Sequence, residues 1–186
     1  MVAWTGLVLP ILLSAVLVFV ASSIIHMVLQ LHNPDYKKLS NEDEVRAALR
    51  KGSSAPGQYI LPHCTDPKLA GSPEMTRKFE EGPVGVLFIR ANGATKLGPF
   101  LGKWFAYSLV ISALAAYMAH SVLTPTSEYL AVFRVVGTAA WLGYAWQGPA
   151  DSIWKGKPWT ITVRGMFDGL VYAALTAGAF GWLWPR

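Results

Sequence analysis

From Met1 to Pro34 the chain carries no formally charged side chain, and between Ala3 and Leu31 most positions are apolar. A helix needs about 20 such residues to cross the hydrocarbon core of a bilayer. The run is too long for the core of a signal peptide, and no Lys or Arg precedes it, so it predicts a retained anchor. Pro10 lies near its start, where proline is tolerated. Three further apolar runs follow at 101–123, 129–147 and 165–184. Lys103 stands at the mouth of the first and His120 near its far end. Thr124-Pro125-Thr126-Ser127 makes a tight turn into the next, and Asp168 lies one turn inside the last. The pattern predicts a four-helix transmembrane bundle whose helices alternate in direction.

The segment 32–100 reads differently, and predicts a small α+β insert between the first two spans. Ser40 followed by Asp43 resembles a capping box ahead of a helix that Gly52 ends. Gly57 to Leu61 reads as a short strand. Ser72-Pro73-Glu74 starts a second helix that stops at Gly82, and Pro83 to Arg90 is the stronger strand, closed by the turn signal Asn92-Gly93. Two strands and two helices make a thin core, so this unit is expected to need support from a membrane or a partner. The stretch 148–164 predicts an interfacial loop.

Charge changes the picture chiefly by orienting it. Of the 16 Lys and Arg residues, 11 lie in 32–103 and three (Lys155, Lys157, Arg164) in 148–164. Basic loops stay on the cytoplasmic side, which places 32–100 in the cytoplasm and both termini outside. Glu42-Asp43-Glu44 and Glu80-Glu81 interrupt the basic residues, so the net charge of +5 does not make a nucleic-acid-binding face.

Ionisable side chains inside apolar runs are costly, and mark functional positions by default. His26 and Asp168 sit at matched depth near the cytoplasmic face and are expected to form a pair, with Gln30 and Arg164 nearby. His120, Glu128 and Arg134 share a level near the outer face. A proton or ion route would join the two levels through Tyr107, Ser108, Ser112, Thr138, Tyr144, Tyr172 or Thr176. Small residues recur every four positions at Gly165, Gly169, Ala173, Ala177 and Gly181, and again at Ser108, Ser112 and Ala116. Such stripes let helices approach closely, within the bundle or against another protein. Trp154, Lys155, Lys157 and Trp159 form an amphipathic group suited to the headgroup layer.

Metal and enzyme signatures are sparse. His63 and the single cysteine, Cys64, are ligand types, with Asp66 and His32 as added donors, but they lack the spacing of a zinc site. A bis-histidine haem would need His26 and His120 at one depth, which the topology does not provide. The nucleophile-elbow, phosphate-loop, dinucleotide and metalloprotease motifs are all missing. No cofactor is therefore expected.

Six strings, Asp35-Tyr36-Lys37-Lys38-Leu39, Pro62-His63-Cys64, Gly82-Pro83-Val84-Gly85, Asp151 to Trp159, Asp168-Gly169-Leu170 and Trp182-Leu183-Trp184-Pro185, run through most of the chain. On them it resembles a group of small bacterial inner-membrane proteins to which no activity is attached. The resemblance implies a bacterial inner-membrane setting and supplies no catalytic residue.

Three functional expectations follow. The leading one is a non-catalytic accessory, assembly or stabilising subunit that docks to a membrane-protein partner or to a second copy of itself, in contact with membrane lipids. The alternative is a small proton, ion or solute pathway built on His26, Asp168, His120, Arg134 and Glu128. The third is a membrane enzyme that binds a lipid or quinone at the Trp154–Trp159 surface.

Overall fold

The computed structural model describes residues 2–52 and 55–185; Arg186, counted above among the basic residues, lies outside them. The chain is mostly helical with one two-stranded sheet, and divides into two units. The first comprises 1–36, 96–152 and 157–186, the second 37–95 and 153–156.

Four long helices build the first unit: α1 (Trp4–Ser23), α5 (Leu97–Val122), α6 (Tyr129–Ala145) and α8 (Trp159–Trp182). Each packs on two others, α1 on α5 and α8, and α6 on α5 and α8. A buried apolar cluster joins Leu7 near the start of α1, Ala119 near the end of α5, Val132 near the start of α6 and Phe180 near the end of α8. The helices therefore alternate in direction. Two segments, Trp4–Val28 and Leu97–Val122, are long and apolar enough to cross a membrane. The outward face of α1 is as apolar as its buried face, with Val8, Leu12, Val16 and Val20 all about half exposed. A helix that is hydrophobic all round belongs in a protein core or a bilayer.

Several boundaries differ from those predicted. The first helix does not run regularly to Leu31: α1 gives way to a π-helical turn over Ile24–Val28, and Gln30 then adopts φ +50°. Apolar composition alone cannot register this break, because π-turn and α-turn residues are equally hydrophobic. The second long helix begins at Leu97, ahead of the apolar run. The expected loop 148–164 is mainly helical, with α7 spanning Gln147–Lys155 and α8 starting at Trp159. Lys157 and Arg164 delayed the predicted start of α8, although Pro158 already supplies a helix entry at φ −56° and ψ 130°. Asp168 thus lies about 14 Å along the helix instead of one turn in.

In the second unit, β1 (Gly57–Leu61) pairs antiparallel with β2 (Gly85–Ile89), with Gly57 opposite Ile89 and Leu61 opposite Gly85. Its helices are α2 (Glu42–Lys51), α3 (Pro67–Ala70) and α4 (Pro73–Glu81). The expected Ser40–Asp43 capping box is not formed: Asn41 takes the cap position, without a side-chain bond. Its acidic first turn and basic last turn still complement the helix dipole. Ser72 does cap α4, its hydroxyl accepting from the Met75 N–H at 3.3 Å. The unanticipated α3 is capped by Asp66, whose carboxylate accepts from the Lys68 N–H at 2.9 Å. Met75 is the one buried hydrophobic residue among those described in this unit, so its core is as thin as its length implied.

Candidate functional site

Three residues of α8 spaced four apart, Arg164, Asp168 and Tyr172, lie on one helical face because four residues nearly complete a turn. They meet the segment that follows α1. The π-turn and the left-handed Gln30 bend that segment back on itself, and the Asn33 amide donates to the Gln30 side chain at 3.0 Å. A positive φ at a non-glycine residue is a strained conformation that surrounding structure must hold in place. A short 3-10 turn over Asn33–Asp35 then presents His32 and Asp35 to α8.

The resulting centre is compact. His32 Nε2 lies 2.7 Å from Asp168 Oδ2, and its Nδ1 lies 2.9 Å from Asp35 Oδ2. His26 Nε2 is 3.6 Å from the same Asp168 oxygen. The two imidazoles stack with centroids 4.5 Å apart. The Tyr172 hydroxyl is 3.4 Å from His26 Nε2. Arg164 donates to the other Asp35 oxygen. Asp168 is only 7% exposed, whereas the His26 side chain is 47% exposed. The hydrogen bond from His32, followed by the Arg164 charge, holds the Asp35 carboxyl below its usual range.

Behind Tyr172 stand Trp104, Tyr107 and Tyr144, in stacked, tilted and edge contacts with centroids 5.6–6.2 Å apart. Trp104 donates to Ser22 at 2.8 Å, and Tyr107 to the Gly143 carbonyl at 2.8 Å. In front, a cavity of about 380 Å³ is bordered by the charged and hydrogen-bonding residues His26, His32, Asp35, Tyr36 and Lys157 and by the apolar Ile161. An apolar groove of about 280 Å³ runs along Met27, Leu97, Phe100, Leu101 and Trp104, and His26 borders this one too.

The other predicted residues fall elsewhere. His120 packs on the Trp4 ring at 4.4 Å, its Nδ1 buried without a hydrogen-bond partner among the described residues. Arg134 and Glu128 are both exposed, and no ion pair joins them among the described residues. Six positions along α6 leave Arg134 and Glu128 about 120° apart around the helix. The outer level is therefore not assembled as a site, and the apolar cluster around Leu7, Val132 and Phe180 fills the bundle at that end. Of the hydroxyls expected to join the two levels, Ser112 accepts from Ser14 at 3.0 Å, while Ser108 and Thr176 turn back onto their own helix carbonyls.

Both small-residue stripes are used inside the fold. A Cβ at Gly169 would sit 2.8 Å from that of Ala145, and one at Gly181 would lie 2.6 Å from the Tyr129 ring. One at Gly137 would lie 3.2 Å from Ala177 Cβ. Ala173 packs with Ile111 and Ala140, and Ala116 lies in the larger apolar cluster. Of the three glycines in the α8 stripe, Gly165 alone opens onto free space.

Trp154 is 84% exposed and Trp159 54%. The Lys155 ammonium lies 5.6 Å from the centre of the Phe88 ring. His63 is exposed, and the Cys64 thiol donates to the Asp66 carbonyl at 3.4 Å. Among the described residues, the group of His, Cys and acidic side chains close enough to share a metal ion is His26, His32 and Asp168, whose donor atoms all lie within 4.8 Å of one another. The sequence paired His26 with Asp168 but left His32 beside His63–Cys64, gave Tyr172 only as one hydroxyl of a route between the two levels, and assigned Asp35 no part in a site. The 164/168/172 spacing, adjacent to the small stripe on the same helix, is the signal that could have found the centre.

Comparison with known proteins adds no relative: no protein-family model, no curated protein and no solved structure matches the chain.

Proposed function

We propose that this is a four-span integral membrane protein whose working part is a divalent transition-metal centre at one end of the bundle, held by His26 Nε2, His32 Nε2 and Asp168. The observation that carries this reading is the placing of His32. Its Nδ1 faces Asp35 while its Nε2 faces Asp168, the carboxylate–histidine arrangement that orients an imidazole for a metal. Two imidazole nitrogens and one carboxylate oxygen suit zinc or a neighbouring first-row ion, and three protein ligands leave a fourth position open toward the cavity. An ion with an open position polarises a bound oxygen or activates a water molecule.

The reading replaces a through-pathway with a one-sided site, because the opposite end of the bundle is packed with apolar side chains. The accessory-subunit reading keeps the thin insert as its support, while all of its small-residue stripes but Gly165 pack within the bundle. The bacterial inner membrane remains the proposed setting. The distribution of basic residues puts the insert and the metal end on the cytoplasmic side.

Untagged protein in mild detergent tests this directly. Elemental analysis after zinc loading and desalting should return one ion per chain, and cobalt loading should give the visible bands of a low-symmetry site. His26→Ala, which alters a half-exposed side chain, should lose the ion with secondary structure unchanged, whereas Cys64→Ser should keep it. Failure of the wild-type protein to retain an ion, or full retention by His26→Ala, overturns the reading.

A further inference from the structure

Among the described residues, His26 is the only side chain shared by the two cavities above, one bordered mainly by charged and hydrogen-bonding residues and the other by apolar ones. On the polar side, Lys157 contributes an ammonium that has no carboxylate partner among the described residues, while Arg164 is already committed to Asp35. On the apolar side the groove walls are aliphatic and aromatic, and Met27, Leu97 and Phe100 are each about half exposed. We propose that the site takes a single anionic phospholipid, its phosphate in the polar cavity against Lys157 and its acyl chain along Met27, Leu97, Phe100 and Leu101. This rests on the metal reading only for the fourth coordination position, which the phosphate oxygen would reach; the groove and the lysine stand without it.

Physical chemistry favours this occupant over others. A free phosphate would use the polar cavity and leave the groove walls unsatisfied. A neutral hydrocarbon would fill the groove and leave the ammonium unmatched. An amphiphile with a negative head satisfies both at once. The two volumes together fall within the range of about 300–1,000 Å³ usual for small-ligand sites. Lys157, just ahead of α8, and Arg164, in its second turn, are basic residues expected at the cytoplasmic headgroup layer, where lysine attracts anionic lipid. The ligand would thus enter sideways from the bilayer instead of through water.

Liposomes that contain the full chain and a phosphatidic acid with a photoreactive acyl chain test the proposal. Crosslinks mapped by peptide mass should concentrate on Met27 and 97–104, several-fold above the outward residues Val8, Leu12 and Val16. Phosphatidylcholine carrying the same acyl label should crosslink there several-fold less, and Lys157→Gln should erase that difference. Leu101→Trp, which fills the groove, should remove the focus while leaving labelling of Val8 and Leu12 unchanged. Uniform labelling of the bundle would mean ordinary boundary lipid and would sink the idea. So would a focus indifferent to headgroup, or displacement of the lipid by inorganic phosphate. Zinc content measured on the same samples separates the two readings. Bound zinc with uniform labelling overturns the lipid site alone, and focused labelling without bound zinc overturns the metal alone.

Discussion

His32 and Asp168, 136 positions apart in sequence, meet with Nε2 and Oδ2 at 2.7 Å. The contact joins the turn after the first helix to the middle of the last. Everything assigned to the site depends on that meeting, and Asp35 is what aims the imidazole toward it.

Replacing that aiming group should weaken the site without dismantling it. Asp35→Asn keeps the size of the side chain and can still accept from His32, but it loses the charge that pairs with Arg164. Metal affinity should fall about 10- to 100-fold, as is usual for outer-shell partners. Competition with a chromogenic chelator reads this, with far-ultraviolet circular dichroism unchanged. An affinity equal to the wild type would remove Asp35 from the site.

Two glycines one turn apart on α8 should respond in opposite ways. Gly169→Ala drives a methyl to within 2.8 Å of Ala145 Cβ and 3.3 Å of its Cα. The two helices must separate, at a cost of about 1–3 kcal/mol. Gly165→Ala meets nothing within 4 Å and should be neutral, or stabilising by up to about 1 kcal/mol through better helix propensity. Denaturation in mixed detergent micelles compares them, and equal losses would contradict the inward-facing stripe.

His120 offers the reverse of a functional histidine. Its buried Nδ1 has no partner among the described residues, and an unsatisfied buried polar atom costs about 1–3 kcal/mol. His120→Leu should therefore leave stability unchanged or raise it, with metal content unaffected. A loss of bound ion in this variant would return the outer level to the site.

Sidedness is open to labelling. In intact vesicles, a membrane-impermeant thiol reagent should reach Cys64 from the same side as a cysteine placed by Lys157→Cys in a Cys64→Ser background. A cysteine placed by Thr126→Cys in that background should react only from the other side. Reaction of all three from one side would exclude four alternating spans.

The long helices and their order were readable from sequence because apolar runs of 17 residues or more leave few alternatives. The strand pair around Tyr59 and Leu87 was readable too, since β-rich runs there are bounded by glycine and proline. What sequence did not show is governed by backbone geometry that composition does not encode. The π-turn at Ile24–Val28 and the left-handed Gln30 swing His32 back toward α8, and neither has a hydrophobicity signature. Asp168 was legible as a costly residue and His26 as its neighbour in depth. His32 and Asp35 were not, because they lie past the end of the apolar run, where polar residues are unremarkable. Arg134 and Glu128 misled for a related reason. Grouping them by position along the chain took no account of the direction each side chain takes around its helix, and that direction separates them.

The bend after α1 has a consequence for how the molecule comes into being. His26 and His32 emerge early in synthesis, while Asp168 arrives only with the final helix, so the three donors cannot converge until the last helix docks beside the first. An ion seated there would act as a clasp, fastening the first-made part of the chain to the last-made. Ligand capture would then report a finished bundle, and a chain stalled before α8 would be left unlatched and recognisably incomplete.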